Sequence, residues 1–152
     1  MKLATLCYVF DGNRVLMINR NKRENDMHLG KWNGLGGKFN PGETPEECVI
    51  REVYEESGLL IKNPILKGFL TFPAFDDEED WYVFVFTANE FSGKLIESEE
   101  GELEWIEWEK VTDLPLWEGD KYFLEWIKQD RFFSAKFIYE NSKYITHSVI
   151  FY

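Results

Sequence analysis

The sequence predicts an α/β fold: a mixed β-sheet with a helix on each face, forming an α/β/α sandwich. Three observations lead there. Short runs rich in β-branched and aromatic residues recur along the chain, two stretches have helical spacing, and one of these is bounded by explicit start and stop residues. With 152 residues, 44% of them hydrophobic and 17% aromatic, the chain can build one domain around a core, and no second domain, repeat or linker is legible.

Leu3 to Phe10 reads as a strand, Asp11-Gly12-Asn13 as a turn and Val15 to Asn19 as a second strand, together a β-hairpin. Asn21 to Gly30 is a polar loop, and Leu35-Gly36-Gly37 ends an apolar stretch with two glycines that let backbone approach a ligand. Ile65 to Phe72 and Trp81 to Ala88 read as strands joined by Pro73 to Asp80, and Leu103 to Trp108 as another. Glu118 to Gln129 has helical spacing. The β-branched and aromatic tail Lys143 to Phe151 reads as a closing strand.

The first helix is the best delimited element. Thr44 is its N-cap, Pro45 its first residue, Glu47 completes a capping box, and Gly58 suits a left-handed C-terminal turn. At about 100° per residue, Glu52, Glu55 and Glu56 fall within one arc, with Val49, Ile50, Val53 and Tyr54 on the opposite side. A solvated acidic stripe is the plain explanation of such a pattern. Against it, like charges three and four residues apart repel unless neutralised, and Arg51, four residues before Glu55, is expected to orient one carboxylate rather than neutralise three. Hard Mg²⁺ or Mn²⁺ prefers oxygen ligands and is often shared with substrate phosphates. The Gly37 carbonyl could join such a site.

Charge narrows the partners. A net charge of −11, from 17 basic and 28 acidic residues, disfavours polymeric DNA or RNA, which needs a basic surface. A small nucleotide carried as its metal complex meets no such objection. No apolar run approaches the roughly 20 residues of a membrane span, and MKLATLCYVF lacks the pattern of a signal peptide, so a cytosolic location is expected. Cys7 and Cys48, with no C-x-x-C spacing, are expected to be buried thiols. Asp76 to Asp80 lacks the features of a calcium loop and reads as a solvated hairpin loop.

The run Gly37 to Leu59 resembles the Nudix box, G-x5-E-x7-R-E-U-x-E-E-x-G-U with U aliphatic: Gly37, Glu43, Arg51, Glu52, Val53, Glu55, Glu56, Gly58 and Leu59 satisfy every fixed position. The resemblance implies the Nudix fold and hydrolysis of a nucleoside diphosphate linked to another moiety, with divalent cations held by the box. Gly30 to Lys38, Glu97 to Glu100 followed by Trp105, and Trp117 to Tyr122 extend it toward the oxidised-purine nucleoside triphosphatases of the MutT type. That resemblance implies a base pocket of Asn33, Phe72, Trp117 and Asp120. The chain departs from the pattern at Gly119, where one of two paired aspartates is missing, and at Met27 and Trp81, which replace a pocket phenylalanine and methionine.

The resemblance further implies a reaction: water attacks an internal phosphorus, expelling pyrophosphate and leaving a monophosphate. Gly37, Glu52, Glu55, Glu56 and Glu100 would meet metal, Arg51 would orient Glu55, itself ligand or base, and Lys38 would meet phosphate. Trp117 could stack on a base, as indoles do. Hydrolysis of ADP-ribose, a dinucleoside polyphosphate or another nucleotide conjugate stays open, because the box alone does not separate these substrates. Diphosphate isomerisation is disfavoured by the intact box, and a silent nucleotide-binding module by the presence of every box glutamate. His28 and His147 show no partner and are expected to be structural or exposed.

Overall fold

The computed structural model describes residues 1–22, 28–76 and 78–152. Among them, β1 (Lys2–Asp11), β2 (Arg14–Arg20), β3 (Trp32–Asn33), β4 (Leu59–Lys62), β5 (Ile65–Asp76), β6 (Glu79–Ala88), β7 (Glu90–Gly93), β8 (Gly101–Glu107), β9 (Phe133–Glu140) and β10 (Lys143–Phe151) are the strands. Helix α1 is Pro45–Ser57 and α2 is Asp120–Trp126. The large sheet runs β10-β9-β5-β6-β1-β2-β3, with β8 against β2, while β4 and β7 form a separate pair. Because β1·β6 and β5·β9 are parallel and their neighbours antiparallel, the sheet is mixed.

Alternation along the strands sorts the side chains into two cores. Ala4 and Tyr8 of β1, Val15 and Met17 of β2, and Val83 and Val85 of β6 join Phe123, Leu124 and Trp126 of α2. Their neighbours Cys7 and Val9, Leu16 and Ile18, and Phe86 and Ala88 join Val49 and Val53 of α1. A helix therefore covers each face of the sheet, as the sequence predicts. Cys7 and Cys48 are free, buried thiols.

The first hairpin forms but opens at once: β1 and β2 pair at Phe10↔Val15 and Asp11↔Arg14. Beyond that point the segment after β3 takes the vacant edge of β1. Thr5 N–H donates to Gly37 O at 2.9 Å, Leu35 N–H to Cys7 O at 2.9 Å and Phe39 N–H to Leu3 O at 3.1 Å. Gly36 makes this possible, since its φ is +147° and a Cβ there would lie 2.0 Å from Thr5 O. The glycines are thereby laid along the sheet beside α1.

Several boundaries differ from expectation for local reasons. Strands β5 and β6 run through most of the segment from Pro73 to Asp80, with a register shift between Phe72 and Asp76 and a left-handed Ala74 at φ 47°. Asp80 accepts from Ala74 N–H at 2.8 Å and Asp76 lies 3.6 Å from the Lys2 ammonium, so two members of the acidic run have structural partners; Asp77 lies outside the described residues. Helix α2 is shorter than the predicted Glu118 to Gln129, because three-residue turns, Asp120 N–H to Trp117 O and Gln129 N–H to Trp126 O, flank it. Trp108 opens a short 3-10 helix, Trp108–Asp113, instead of ending β8. Strand β9 was hidden within an aromatic segment that looks like plain core, yet its buried residues Phe133, Ala135, Phe137 and Tyr139 alternate strictly. Residues of the polar loop numbered 23–27, Met27 among them, lie outside the described residues.

Candidate active site

Helix α1 begins and ends as its sequence requires. Glu47 N–H donates to Thr44 Oγ1 at 3.0 Å, Thr44 N–H donates to Glu47 Oε1 at 2.9 Å, and Gly58 closes the helix at φ 81°. With the ends fixed, the rotation of each carboxylate about the axis is fixed too. The expected single acidic arc divides into three environments. Glu56 continues the inward stripe of Val49 and Val53 at i, i+4 and i+7 and is 7% exposed; Glu52 is half-buried; Glu55, with its side chain 57% exposed, faces solvent. Tyr54, expected on the inward side, is also exposed.

Arg51 reaches further than expected. Its Nε and Nη2 donate to the two oxygens of Glu43 at 2.6 and 2.9 Å, Nη1 donates to Glu52 at 2.8 Å and to Glu55 at 3.2 Å, and Nη2 also donates to Lys38 O at 3.0 Å. One guanidinium thus serves three carboxylates because its fork matches Glu43 bidentately and leaves Nη1 for the helix pair. The Arg51 hydrogen bonds, and after them the Asn40 N–H, hold the Glu43 carboxyl below its ordinary range.

Beneath the cavity Glu56 accepts from Gly36 N–H at 2.7 Å. Burial pushes its carboxyl well above the ordinary range, Gly36 opposes this, and Glu100, which also hydrogen-bonds to it, pushes further. Burial likewise raises Glu52, against the pull of Arg51 and with repulsion from Glu55 and Glu100. Glu52, Glu56 and Glu100 therefore sense one another. Glu100 is itself 3.6 Å from Arg20, a cavity residue that sequence reasoning passed over because nothing near it in the chain signals the pairing.

The Gly37 carbonyl accepts from Thr5 N–H at 2.9 Å, which occupies one of its two lone pairs. Gly37 also contributes room. A Cβ there would lie 2.5 Å from Glu52 Oε2, so the glycine lets the Glu52 carboxylate lie against the backbone. Lys38 has its ammonium 5.6 Å from the Trp81 ring centre, on the cavity wall.

The cavity, about 440 Å³, joins two chemically different ends. Glu52, Glu100, Arg20 and Lys38 line one; Asn33, Phe72, Phe75, Trp117, Asp120 and Tyr139 line the other. Asp120 is 8% exposed, and burial pushes its carboxyl up to about 8 against the opposing charge of Lys31. Trp117, 5% exposed, meets Phe75 and Tyr139 edge-on at 5.2 and 5.5 Å. Its indole N–H donates to His28 Nδ1 at 2.7 Å, an 89-residue separation that no local pattern foretells. His28 is therefore a cavity residue, with Nδ1 accepting from the indole. Trp81 also lines the cavity, and its buried Nε1 has no hydrogen-bond partner among the described residues.

The donor set is all oxygen. Among the described residues no three acidic, histidine or cysteine side chains form a preformed metal cage, yet Glu52 and Glu56 are both raised and crowded by the like charge of Glu100, a condition that a hard divalent cation relieves. The site residues thus fit Mg²⁺ or Mn²⁺. Glu55 differs in being exposed, with its carboxylate on Arg51.

Comparison with known proteins agrees with this architecture. The model of the NUDIX domain matches residues 1–127. An uncharacterized Nudix hydrolase of Bacillus subtilis is 34% identical, the match covering 84% of this chain and 79% of that protein. The oxidized purine nucleoside triphosphate hydrolase of Danio rerio is 32% identical over 98% of this chain and 90% of its own length. The crystal structure of a mutator MutT protein from Bacillus halodurans superposes with a TM-score of 0.87 at 33% identity, covering 98% of this chain and 97% of that one. Box, fold and relatives converge: the chain belongs to the Nudix family as a MutT-type hydrolase.

Proposed function

We propose that this Nudix pyrophosphohydrolase cleaves purine deoxynucleoside and nucleoside triphosphates, with oxidised purines such as 8-oxo-dGTP as preferred substrates, to the monophosphate and pyrophosphate. The observation that carries the reading is the two-ended cavity, in which a carboxylate cluster and an aromatic, acid-bearing pocket open into the same space. A triphosphate needs the first end and a purine the second. The names of the mouse and zebrafish relatives add support, being oxidized purine nucleoside triphosphate hydrolases.

Glu52, Glu56 and Glu100 would hold Mg²⁺, with Mn²⁺ as a substitute. Such an ion, when bound, lowers the pKa of coordinated water and neutralises charge on phosphate oxygens. Arg51 keeps Glu52 from swinging away by pinning it to the Glu43 side of α1. Arg20 and Lys38 bring positive charge to the phosphate end of a protein whose net charge would otherwise repel a polyanion. At the base end Trp117 and Phe72 offer ring faces and edges, Asp120 fixes direction, and Asn33 supplies an amide. We place the whole reaction in a single domain spanning residues 1–152, acting in the cytosol on a small molecule rather than on a nucleic-acid polymer. Among the described residues no helix is long and apolar enough to cross a membrane.

The test is formation of nucleoside monophosphate, resolved by chromatography, from a panel of ordinary and oxidised nucleotides with Mg²⁺, beside ADP-ribose and a dinucleoside polyphosphate. A kcat/KM for 8-oxo-dGTP at least tenfold above the conjugates is expected. Faster turnover of ADP-ribose than of every triphosphate would overturn the proposal.

A further inference from the structure

Gly119 precedes Asp120 and has an ordinary φ of −66°, so conformational freedom is not what glycine contributes there. It contributes space. A Cβ built on it would lie 2.6 Å from Tyr139 Oη and 2.8 Å from a Phe137 ring carbon. The phenol fills the volume that a side chain at 119 would claim, and Gly119 N–H donates to its oxygen at 2.7 Å.

A phenol accepts through its oxygen and donates its own proton. The Gly119 bond uses the accepting side, and among the described residues the Tyr139 proton has no acceptor. Tyr139 is 7% exposed and lines the same cavity as Asp120 and Trp117. Its ring is fixed edge-on by Phe75 at 5.3 Å and Trp117 at 5.5 Å, and by strand β9 behind it, so the hydroxyl is a positioned group. Burial, and next the charge of Asp120, raise the phenol above its ordinary range, keeping it a neutral donor at physiological pH.

We propose that Tyr139 is a specificity-determining residue of the base pocket, whose hydroxyl donates to the 6-oxo oxygen of a purine while the adjacent N1–H of that purine faces Asp120. A 6-oxopurine offers an acceptor beside a donor at this edge, whereas a 6-aminopurine offers a donor beside a bare acceptor. A buried donor met by the wrong group is left unpaired, and that asymmetry is what discriminates. The inference rests on the purine reading given above and names its base class.

Tyr139→Phe keeps the ring and removes the proton. Dissociation constants of nucleoside monophosphates, measured by titration calorimetry without metal, read the pocket apart from bond cleavage. The variant is expected to weaken 8-oxo-dGMP and dGMP about tenfold and to change 2-aminopurine deoxynucleoside monophosphate, which bears hydrogen at position 6, by less than about twofold. Gly119→Ala reaches the same end independently, because the added Cβ displaces the hydroxyl, and it carries the comparison if circular dichroism shows Tyr139→Phe to be misfolded. Equal loss for all three nucleotides, or no loss for 8-oxo-dGMP, overturns the assignment and leaves Tyr139 a packing residue. Selective loss in a protein that releases no pyrophosphate from any triphosphate would refute the hydrolysis reading while supporting this one.

Discussion

Arg51 and Glu43, eight residues apart, are joined by two hydrogen bonds of 2.6 and 2.9 Å that tie the loop before α1 to the middle of the helix. The pairing matters beyond its own energy, because Arg51 Nη1 also holds Glu52 at 2.8 Å. Lysine keeps the charge but has one nitrogen and no fork. Arg51→Lys is expected to lower kcat by about 10- to 100-fold while KM changes little, since it misplaces a carboxylate rather than removing a substrate contact. Steady-state kinetics with one triphosphate checks this, and a change confined to KM would contradict it.

The three glutamates of α1 are expected to be unequal. Glu56 is buried beneath the cavity and Glu55 is exposed beside it. Glu56→Gln should reduce metal-dependent turnover by about a hundredfold or more, whereas Glu55→Gln should cost less than about tenfold. Pyrophosphate release measured across a Mg²⁺ titration separates lost affinity from lost rate. Similar losses at the two positions would mean that burial does not rank them.

Adjacent glycines should fail in different ways. Gly36→Ala drives a Cβ to 2.0 Å from Thr5 O at a positive φ, a clash with backbone that cannot yield, so lost folding is expected. Gly37→Ala meets the Glu52 carboxylate at 2.5 Å, a side chain that can move. That variant should melt within a few degrees of wild type and lose most of its activity. Thermal melts beside turnover distinguish the two, and a fully active Gly37→Ala protein would remove the role given to that contact.

Asp120 makes stability depend on pH in a direction opposite to most carboxylates. Its folded value, about 8, lies above its unfolded value near 3.8, so the folded state holds more protons between these limits. Stability contributed by this group is full below about pH 4 and declines as pH rises toward 8, by at most roughly 1.4 kcal/mol per pH unit. Asp120→Asn should remove that slope, so the stability difference between variant and wild type should grow in favour of the variant from pH 5 to pH 8. Urea unfolding at four pH values measures it, and parallel curves would show that Asp120 ionises normally.

Much of the candidate site was legible because it is local. Thr44, Glu47 and Gly58 fix α1 by capping rules that act within four residues, and the spacing of the box places Arg51 and its glutamates on that helix whatever surrounds it. The same locality misleads about burial. A helical wheel groups Glu52, Glu55 and Glu56 in one arc, but only the sheet beneath α1 decides that Glu56 is buried and Glu55 is not. Strand β9 illustrates the converse: its period-two pattern is present in the sequence, but dense aromatics hide it until β5 and β10 pair with it.

Sequence alone determined the family, the helix and its ends, the sheet's main strands and the residue types at both ends of the cavity, because these follow from backbone propensity and from motifs written in consecutive residues. Tertiary structure alone decided which groups meet across long separations: Trp117 with His28, Arg20 with Glu100, and Tyr139 with Gly119. Such contacts arise where strands distant in the chain converge on one cavity, and their distances and desolvation have no trace in any local pattern. The upward push on the Asp120 and Glu56 carboxyls belongs with them, since burial is set by the whole fold.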